Sequence, residues 1–408
     1  MKGTLLIALA ACLMAPAQAQ LLPQLPRVGG TIDRVTGSLP DIGERLDNAR
    51  SLARAQTGRV RDLMRRYPDR VAIDPEGNAV RASELIVLDV DETVMQAATT
   101  SGFRLIERIE LAGLGVGYAR FATPRGMGLA HALKRMRSIA GGRQVSTDPL
   151  YFASGGIGAP GAGVATQAGG AKGRIGIIDG GVPADTPGLA RQQSFAQGGP
   201  LPNDHATAIA SLLTGGGAVR ASAPGARLHV ADVYGGDPAG GNATAIGQGL
   251  AWMVRERVPV VVISLTGPSN PLLGRIVAAA RRLGTVIVAA VGNDGPAAKP
   301  AYPASYPEAV AMTGVDLRGR VLIEAGRAAK LDYAAPGADL LALGADGRVR
   351  TLRGTSFAAP FVAARLSAQL GDGGIAGALV ALDREAQGRG RRGLGRGLLC
   401  GDCATRPR

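Results

Sequence analysis

Beyond position 172 the sequence alternates short, unbroken Val/Ile runs with longer helix-like stretches, and this order constrains the fold more than any other feature. The runs at 174–178, 227–233, 258–265, 285–291 and 309–315 read as strands. Segments 205–213, 243–257 and 272–283 read as helices between them, and 357–370 as a last, nearly all-apolar helix. Strands apolar at successive positions are those buried on both faces. The expectation is therefore an α/β fold, a mostly parallel sheet with helices on both faces. The 408 residues, 46% hydrophobic, suffice for such a core. Aromatics are only 3%, so Ala, Val, Leu and Ile must build it.

Chemistry concentrates around Arg353-Gly354-Thr355-Ser356-Phe357-Ala358-Ala359-Pro360. An extended run, 348–352, leads through Gly354 into the last helix. Ser356 stands where that helix begins, and Pro360 is tolerated there because the first helical N–H groups lack intrahelical partners. A serine at a helix N-terminus is commonly a cap. It can equally be a nucleophile, because the dipole and free N–H groups favour developing negative charge. Asp179 ends the first strand of the series, and carboxyl ends of parallel strands are where open α/β sheets hold their sites. Gly173 precedes that strand, and Gly180-Gly181-Val182-Pro183-Ala184-Asp185 after it lacks the Gly-x-Gly-x-x-Gly spacing, which argues against a dinucleotide fold. His205 opens a helix after Asn203-Asp204. Asn293 follows a strand in Ala289-Ala290-Val291-Gly292-Asn293, where an Asn-Asp-Gly turn would also explain it.

Gly354-Thr355-Ser356-Phe357-Ala358-Ala359-Pro360 resembles the Gly-Thr-Ser-x-Ala-Ala-Pro nucleophile motif of the subtilisin-like serine proteases, the subtilases. The blocks around Asp179, His205 and Asn293 occur in that family's order, over about 172–399. The resemblance implies that Ser356 is the nucleophile, His205 its general base, Asp179 the group orienting His205, and Asn293 an oxyanion donor, on the template described for subtilisin. It also implies that Ser264, Leu265, Thr266 and Gly267 line the bound substrate as a strand. Thr266 replaces the family's glycine and would narrow the first pocket. The histidine block departs most. His205-Ala206-Thr207-Ala208-Ile209-Ala210-Ser211 stands for His-Gly-Thr-His-Val-Ala-Gly, which motivates an alternative, an inactive scaffold that binds peptides. Tyr302-Pro303-Ala304 and Tyr333-Ala334-Ala335-Pro336-Gly337 are further family-like blocks. Calcium is a possible cofactor by resemblance, although no ligand cluster is legible.

The N-terminal part reads as separate pieces. Positions 1–19 carry Lys2, an apolar run and Ala17-Gln18-Ala19, the pattern of a signal peptide cut before Gln20. The expectation is export, with lipid attachment at Cys12 a minor alternative. Positions 20–40 read as a linker. From 41 to 153 the pattern is a helix, a strand at 85–90, a helix over 93–114, a strand at 117–122, a helix over 127–139 and an extended piece at 144–152. That is a small α/β sandwich, and in this place it resembles a subtilase propeptide that assists folding and then blocks the cleft. Gly- and Ala-rich 154–171 reads as a flexible junction, with the boundary near Tyr151–Ser154. The catalytic domain is expected over 172–400 and a tail over 401–408.

The formal charge of +14 could suit nucleic acid. Its arginines are spread along the chain, with one local cluster at 389–396 and no interleaved aromatics, so protein or peptide substrates are expected as partners, with no nucleic acid and no membrane span. Cys400 and Cys403 leave two readings open, a local disulfide or free thiols.

Overall fold

The structure, a computed structural model, describes residues 58–160 and 173–404. The expected signal peptide, the linker, the start of the first helix of the N-terminal part, most of the 154–171 junction and the last residues of the tail lie outside them; residues 58–66, the end of that helix, are helical.

The N-terminal layer is a five-stranded antiparallel sheet of Val71–Ile73, Ala79–Leu88, Arg104–Leu111, Val116–Ala122 and Val145–Pro149. Helices Glu92–Thr100 and Leu129–Ile139 cover one face. Leu85 and Val87 pack under them with Phe103, Phe121, Leu133 and Met136. Ile86, Leu88 and Tyr118 point the other way and join a core shared with the C-terminal helices. Both faces of this strand are thus buried, which explains its unbroken apolar run. The helix expected over 93–114 ends at Thr100. Gly102, at φ +86°, turns the chain, and 104–111 becomes an edge strand of alternating apolar and charged residues.

The C-terminal part is built on a seven-stranded sheet. Its order is Tyr333–Pro336, Val310–Val315, Val286–Ala290, Val260–Ile263, Arg174–Asp179, Arg227–Asp232, Leu189–Ser194. Every pairing within it is parallel. Ile175, Ile177, Val260 and Val262 face helices Asp204–Thr214 and Ala359–Ala368. Ile178, Val261 and Ile263 face helices Ala243–Arg255 and Pro271–Arg282. The expected α/β architecture is therefore present. Both edge strands escaped the sequence reading, because Leu189–Ser194 is polar and half-exposed while Tyr333–Pro336 is short and ends in proline. The helix Gly374–Glu385 was also missed.

The junction is more ordered than expected. Phe152–Ala153 pairs antiparallel with Leu265–Thr266. Gly156–Pro160 pairs antiparallel with Val349–Arg353 and forms the outer strand of a three-stranded sheet with Ala338–Leu343. Residues 152–160 are thus held at both ends by backbone hydrogen bonds, which a Gly-rich sequence does not advertise.

Polar contacts fix the N-terminal layer on the C-terminal part. Arg81 and Arg70 each reach Asp237 at 2.8 Å. Asn270 Nδ2 donates to Ser146 Oγ and the Thr147 carbonyl, both at 3.2 Å. The Asp148 carboxylate is fully buried at the N-terminus of helix Ala243–Arg255, where it accepts from Thr244 N at 3.1 Å and Thr244 Oγ1 at 2.6 Å. Burial pushes the Asp148 carboxyl up to about 6, against the pull of Thr244, Arg81 and Arg120.

Of the two readings for the C-terminal cysteines, Cys400 and Cys403 form the disulfide. Among the described residues no group of three or more His, Cys, Asp or Glu could hold a metal ion, and no helix is long and apolar enough to cross a membrane.

Candidate active site

The parallel register sets Asp179 at the carboxyl end of its strand, level with Asp232 of the neighbouring strand. Asp179 is fully buried. Its Oδ1 accepts from Gly180 N at 2.8 Å, and Oδ2 lies 2.8 Å from His205 Nδ1. A buried carboxylate this close fixes the proton on Nδ1 and leaves Nε2 as the basic nitrogen.

His205 is the second residue of helix Asp204–Thr214, whose N-cap Asn203 accepts from Ala206 N at 2.7 Å. Its ring is almost buried and tilts against Phe357, with centroids 5.4 Å apart. Burial opposes the charged ring, but the Asp179 charge, its hydrogen bond and the Ser154 backbone outweigh that cost, so the His205 pKa is raised. The residues that replace the family's glycines and second histidine cause no local disruption. Ala206 and Ala208 pack in the core, and Ser211 Oγ accepts from Leu343 N at 2.9 Å. Of the other histidines, His131 is exposed on helix Leu129–Ile139 and His229 packs against Trp252.

Ser356 sits in a single 3₁₀ turn, Thr355–Phe357, immediately before helix Ala359–Ala368, and not within the helix proper. Gly354 leads into the turn at φ +147°, and a Cβ there would lie 2.6 Å from the Gly155 Cα and 2.8 Å from Asn293 Nδ2. Only glycine fits so close an approach. Ser264 and Ser356 exchange hydrogen bonds. Ser264 Oγ donates to the Ser356 carbonyl at 2.8 Å, and Ser356 Oγ donates to the Ser264 carbonyl at 3.1 Å. Ser264 thus props the serine turn from behind, a role its expected place in a substrate-lining strand did not suggest.

Asn293 Oδ1 accepts from Thr355 N at 2.9 Å, while its Nδ2 is buried without a hydrogen-bond partner. An unpaired buried amide costs free energy. Here it leaves an N–H donor beside Gly354 for a ligand oxygen.

The structure joins Asp179 to His205 and sets Asn293 beside the Ser356 turn. It does not form the His205–Ser356 hydrogen bond: Nε2 of His205 makes no well-formed hydrogen bond and has the Ser154 backbone near it, and the Ser356 hydroxyl is engaged by Ser264 and Ser154. Ser154 is the meeting point. Its Oγ lies 2.9 Å from Ser356 Oγ, and its backbone acts on His205. Of the stretch Ser264 to Gly267, expected to line substrate, Leu265–Thr266 pairs with Phe152–Ala153 of the same chain, whereas Gly267 bridges to Tyr302. Sequence reasoning placed a boundary near Tyr151–Ser154 but missed Ser154, Gly155 and Tyr234 as parts of the site. The available signal was the small pair Ser154-Gly155 after the aromatic pair Tyr151-Phe152.

Residues 174–370 match the Subtilase family. The chain is 33% identical over 174 residues to the Major intracellular serine protease of Bacillus subtilis, covering 40% of this chain and 54% of that protein. The chain thus spans about half the length of that relative. It is 31% identical over 230 residues to Thermitase of Thermoactinomyces vulgaris, covering 53% of this chain and 78% of the relative. Among solved structures, fervidolysin from Fervidobacterium pennivorans superposes with a TM-score of 0.64 at 17% identity, covering 79% of this chain and 61% of that one, which is a likeness of fold.

Proposed function

Since this chain belongs to the subtilase family, we propose that it is an exported serine endopeptidase made as a self-processed precursor. One observation carries the reading. The chain's own residues 152–160 run through the candidate cleft, paired with one strand before Ser154-Gly155 and another after it, and set Ser154-Gly155 against Ser356. A segment held this way is oriented for attack before any chemistry begins.

In this reading the Ser356 hydroxyl turns from the Ser264 carbonyl towards His205. Nε2 takes its proton as Oγ bonds to the Ser154 carbonyl carbon. Asp179 holds the ring and stabilises the imidazolium. The free Nδ2–H of Asn293 and the backbone N–H of Ser356 receive the oxyanion. Collapse breaks the Ser154–Gly155 bond, and His205 gives its proton to the leaving Gly155 amine. Water, deprotonated by His205, then releases Ser154 from the ester. The same steps would hydrolyse other proteins or peptides once the piece ending at Ser154 leaves the cleft. No step uses a metal.

The segment 41–153, released with Ser154 as its new C-terminus, is then a propeptide, and the leader at 1–19 its export signal. The alternative reading, an inactive scaffold that binds peptides, draws on the Ser356 hydroxyl being bonded to Ser264 and Ser154 and not to His205. A fluorophosphonate separates the two. Labelling of the parent protein that disappears in Ser356→Ala supports the peptidase, and an unlabelled parent supports the scaffold.

A further inference from the structure

The segment in the cleft also records what the cleft accepts. Tyr151, three residues before Ser154, is fully buried. Its N–H donates to the Gly241 carbonyl at 2.7 Å, its carbonyl accepts from Tyr234 Oη at 2.8 Å, and its own hydroxyl donates to the Pro268 carbonyl at 2.7 Å. Two glycines make the room. A Cβ on Gly267 would lie 2.6 Å from the Tyr151 ring, and one on Gly241 would lie 2.8 Å from the Tyr151 carbonyl. The ring belongs to the apolar cluster of Ile246, Leu250 and Leu265. A phenylalanine would fill this space but leave the Pro268 carbonyl without its donor, and a pocket built for a hydroxyl discriminates against the ligand lacking it.

The position before the cut is different. Register pairs Thr266 with Phe152, and the two-residue period of an extended strand puts Ser154 on the same face as Phe152. A longer side chain leaving that face at position 154 would therefore meet Thr266. Facing the Thr266 side chain is Gly292, at φ +84°, whose carbonyl accepts from Gly326 N at 2.7 Å and Thr355 Oγ1 at 3.0 Å. The Thr266 methyl already occupies the gap: a Cβ on Gly292 would meet Thr266 Cγ2 at 3.1 Å. Thr266 is itself buried, so it has little space to rotate away. The Ser154 side chain does not enter this gap but turns its hydroxyl to Ser356.

Resting on the peptidase reading above, we infer that the enzyme cuts after Gly, Ala or Ser in peptides with tyrosine three residues further upstream, Thr266 excluding larger side chains at the cut and the Pro268 carbonyl selecting the tyrosine hydroxyl. Both are specificity determinants and neither takes part in proton transfer.

The precursor tests this by paired substitution. Ser154→Phe slows appearance of the Gly155 N-terminus about 100-fold or more, and adding Thr266→Gly restores it to within about tenfold of the parent. Tyr151→Phe slows it roughly tenfold in either background, and Tyr151→Leu more. Equal processing of Ser154→Phe and parent, or no recovery with Thr266→Gly, overturns the role of Thr266. Unchanged processing of Tyr151→Phe overturns the hydroxyl readout. The protein recovered from culture is also given the peptides acetyl-Tyr-Phe-Ala-Ser-Gly-Ile-amide and acetyl-Tyr-Phe-Ala-Phe-Gly-Ile-amide. Cleavage of the first alone is expected. Cleavage of both at equal rates overturns the inference and leaves the peptidase reading intact, whereas cleavage of neither, with no fluorophosphonate labelling, overturns both.

Discussion

The hydroxyls of Ser154 and Ser356 lie 2.9 Å apart, although 202 positions separate them in the chain. Two ladders create that contact. Leu265–Thr266 holds the chain before Ser154, and Val349–Arg353 holds it after Gly155. In the proposed reaction these two ladders bring the nucleophile and the bond to be cut together.

The oxyanion donor gives a first prediction. Asn293→Ala removes the free N–H beside Gly354 and the acceptor for Thr355 N. Self-cleavage is expected to fall about 100- to 1000-fold, the magnitude known for loss of this donor in subtilisin. The fold should lose only about 1 kcal/mol from the Thr355 bond. Stopped-time gel analysis of the precursor reads the rate, and thermal unfolding of Ser356→Ala with and without Asn293→Ala reads the stability.

The pH profile tests the Asp179–His205 pair. A general base works as the neutral ring, so self-cleavage should rise with pH and reach half its plateau above 6.5, the ordinary value for histidine, because His205 is raised. Asp179→Asn removes the charge that raises it and leaves burial, which lowers it. The midpoint then moves to lower pH, and the plateau drops by about 10⁴, as for other triads that lose the aspartate. A midpoint unmoved by Asp179→Asn would show that the carboxylate does not tune the ring.

Asp148 predicts a pH dependence of stability with the opposite sign from most carboxylates. Its carboxyl is raised from 3.8 to about 6 in the folded precursor, so between those values the folded chain binds more protons than the unfolded one. The contribution is most favourable below pH 4 and is lost as pH climbs through about 6, by roughly 3 kcal/mol in total. Asp148→Asn keeps an acceptor for Thr244 N and can donate its Nδ2–H to Thr244 Oγ1, whose own hydrogen turns to Asn242 Oδ1, all without the charge. Melting of the Ser356→Ala precursor from pH 4 to 7 should include this loss, and the Asp148→Asn version should lack it.

The same surface depends on Arg81, nearly buried against Asp237. Arg81→Met leaves Asp237 with Arg70 and the Ala239 N–H. A cost of about 2 kcal/mol is expected, below the full penalty for an orphaned buried charge. Isothermal titration of separated N- and C-terminal parts after cleavage, or melting of the uncleaved precursor, measures it.

Much of this was legible in the sequence because its causes are local. The run Ile175 to Ile178 is apolar at each position but Gly176, since both faces are covered, and that pattern announces a parallel strand. Asp179 and Asn293 follow such runs directly. Other features depend on distant partners. Leu189–Ser194 is a strand only because Arg227–Asp232 offers it an edge. The Gly-rich 156–160 is extended only because Val349–Arg353 pairs with it. The segment 104–111 reads as helical by apolar spacing, yet Gly102 turns it back onto Val116–Ala122. The mutual bonds of Ser264 and Ser356 could not be read from either residue alone.

The most direct test is the N-terminal sequence and intact mass of the protein recovered from parent and Ser356→Ala cultures of a protease-deficient host. The account predicts a parent that begins at Gly155 and a Ser356→Ala chain still continuous through Ser154-Gly155. A Ser356→Ala chain cut at the same bond, or a parent left whole, would contradict it.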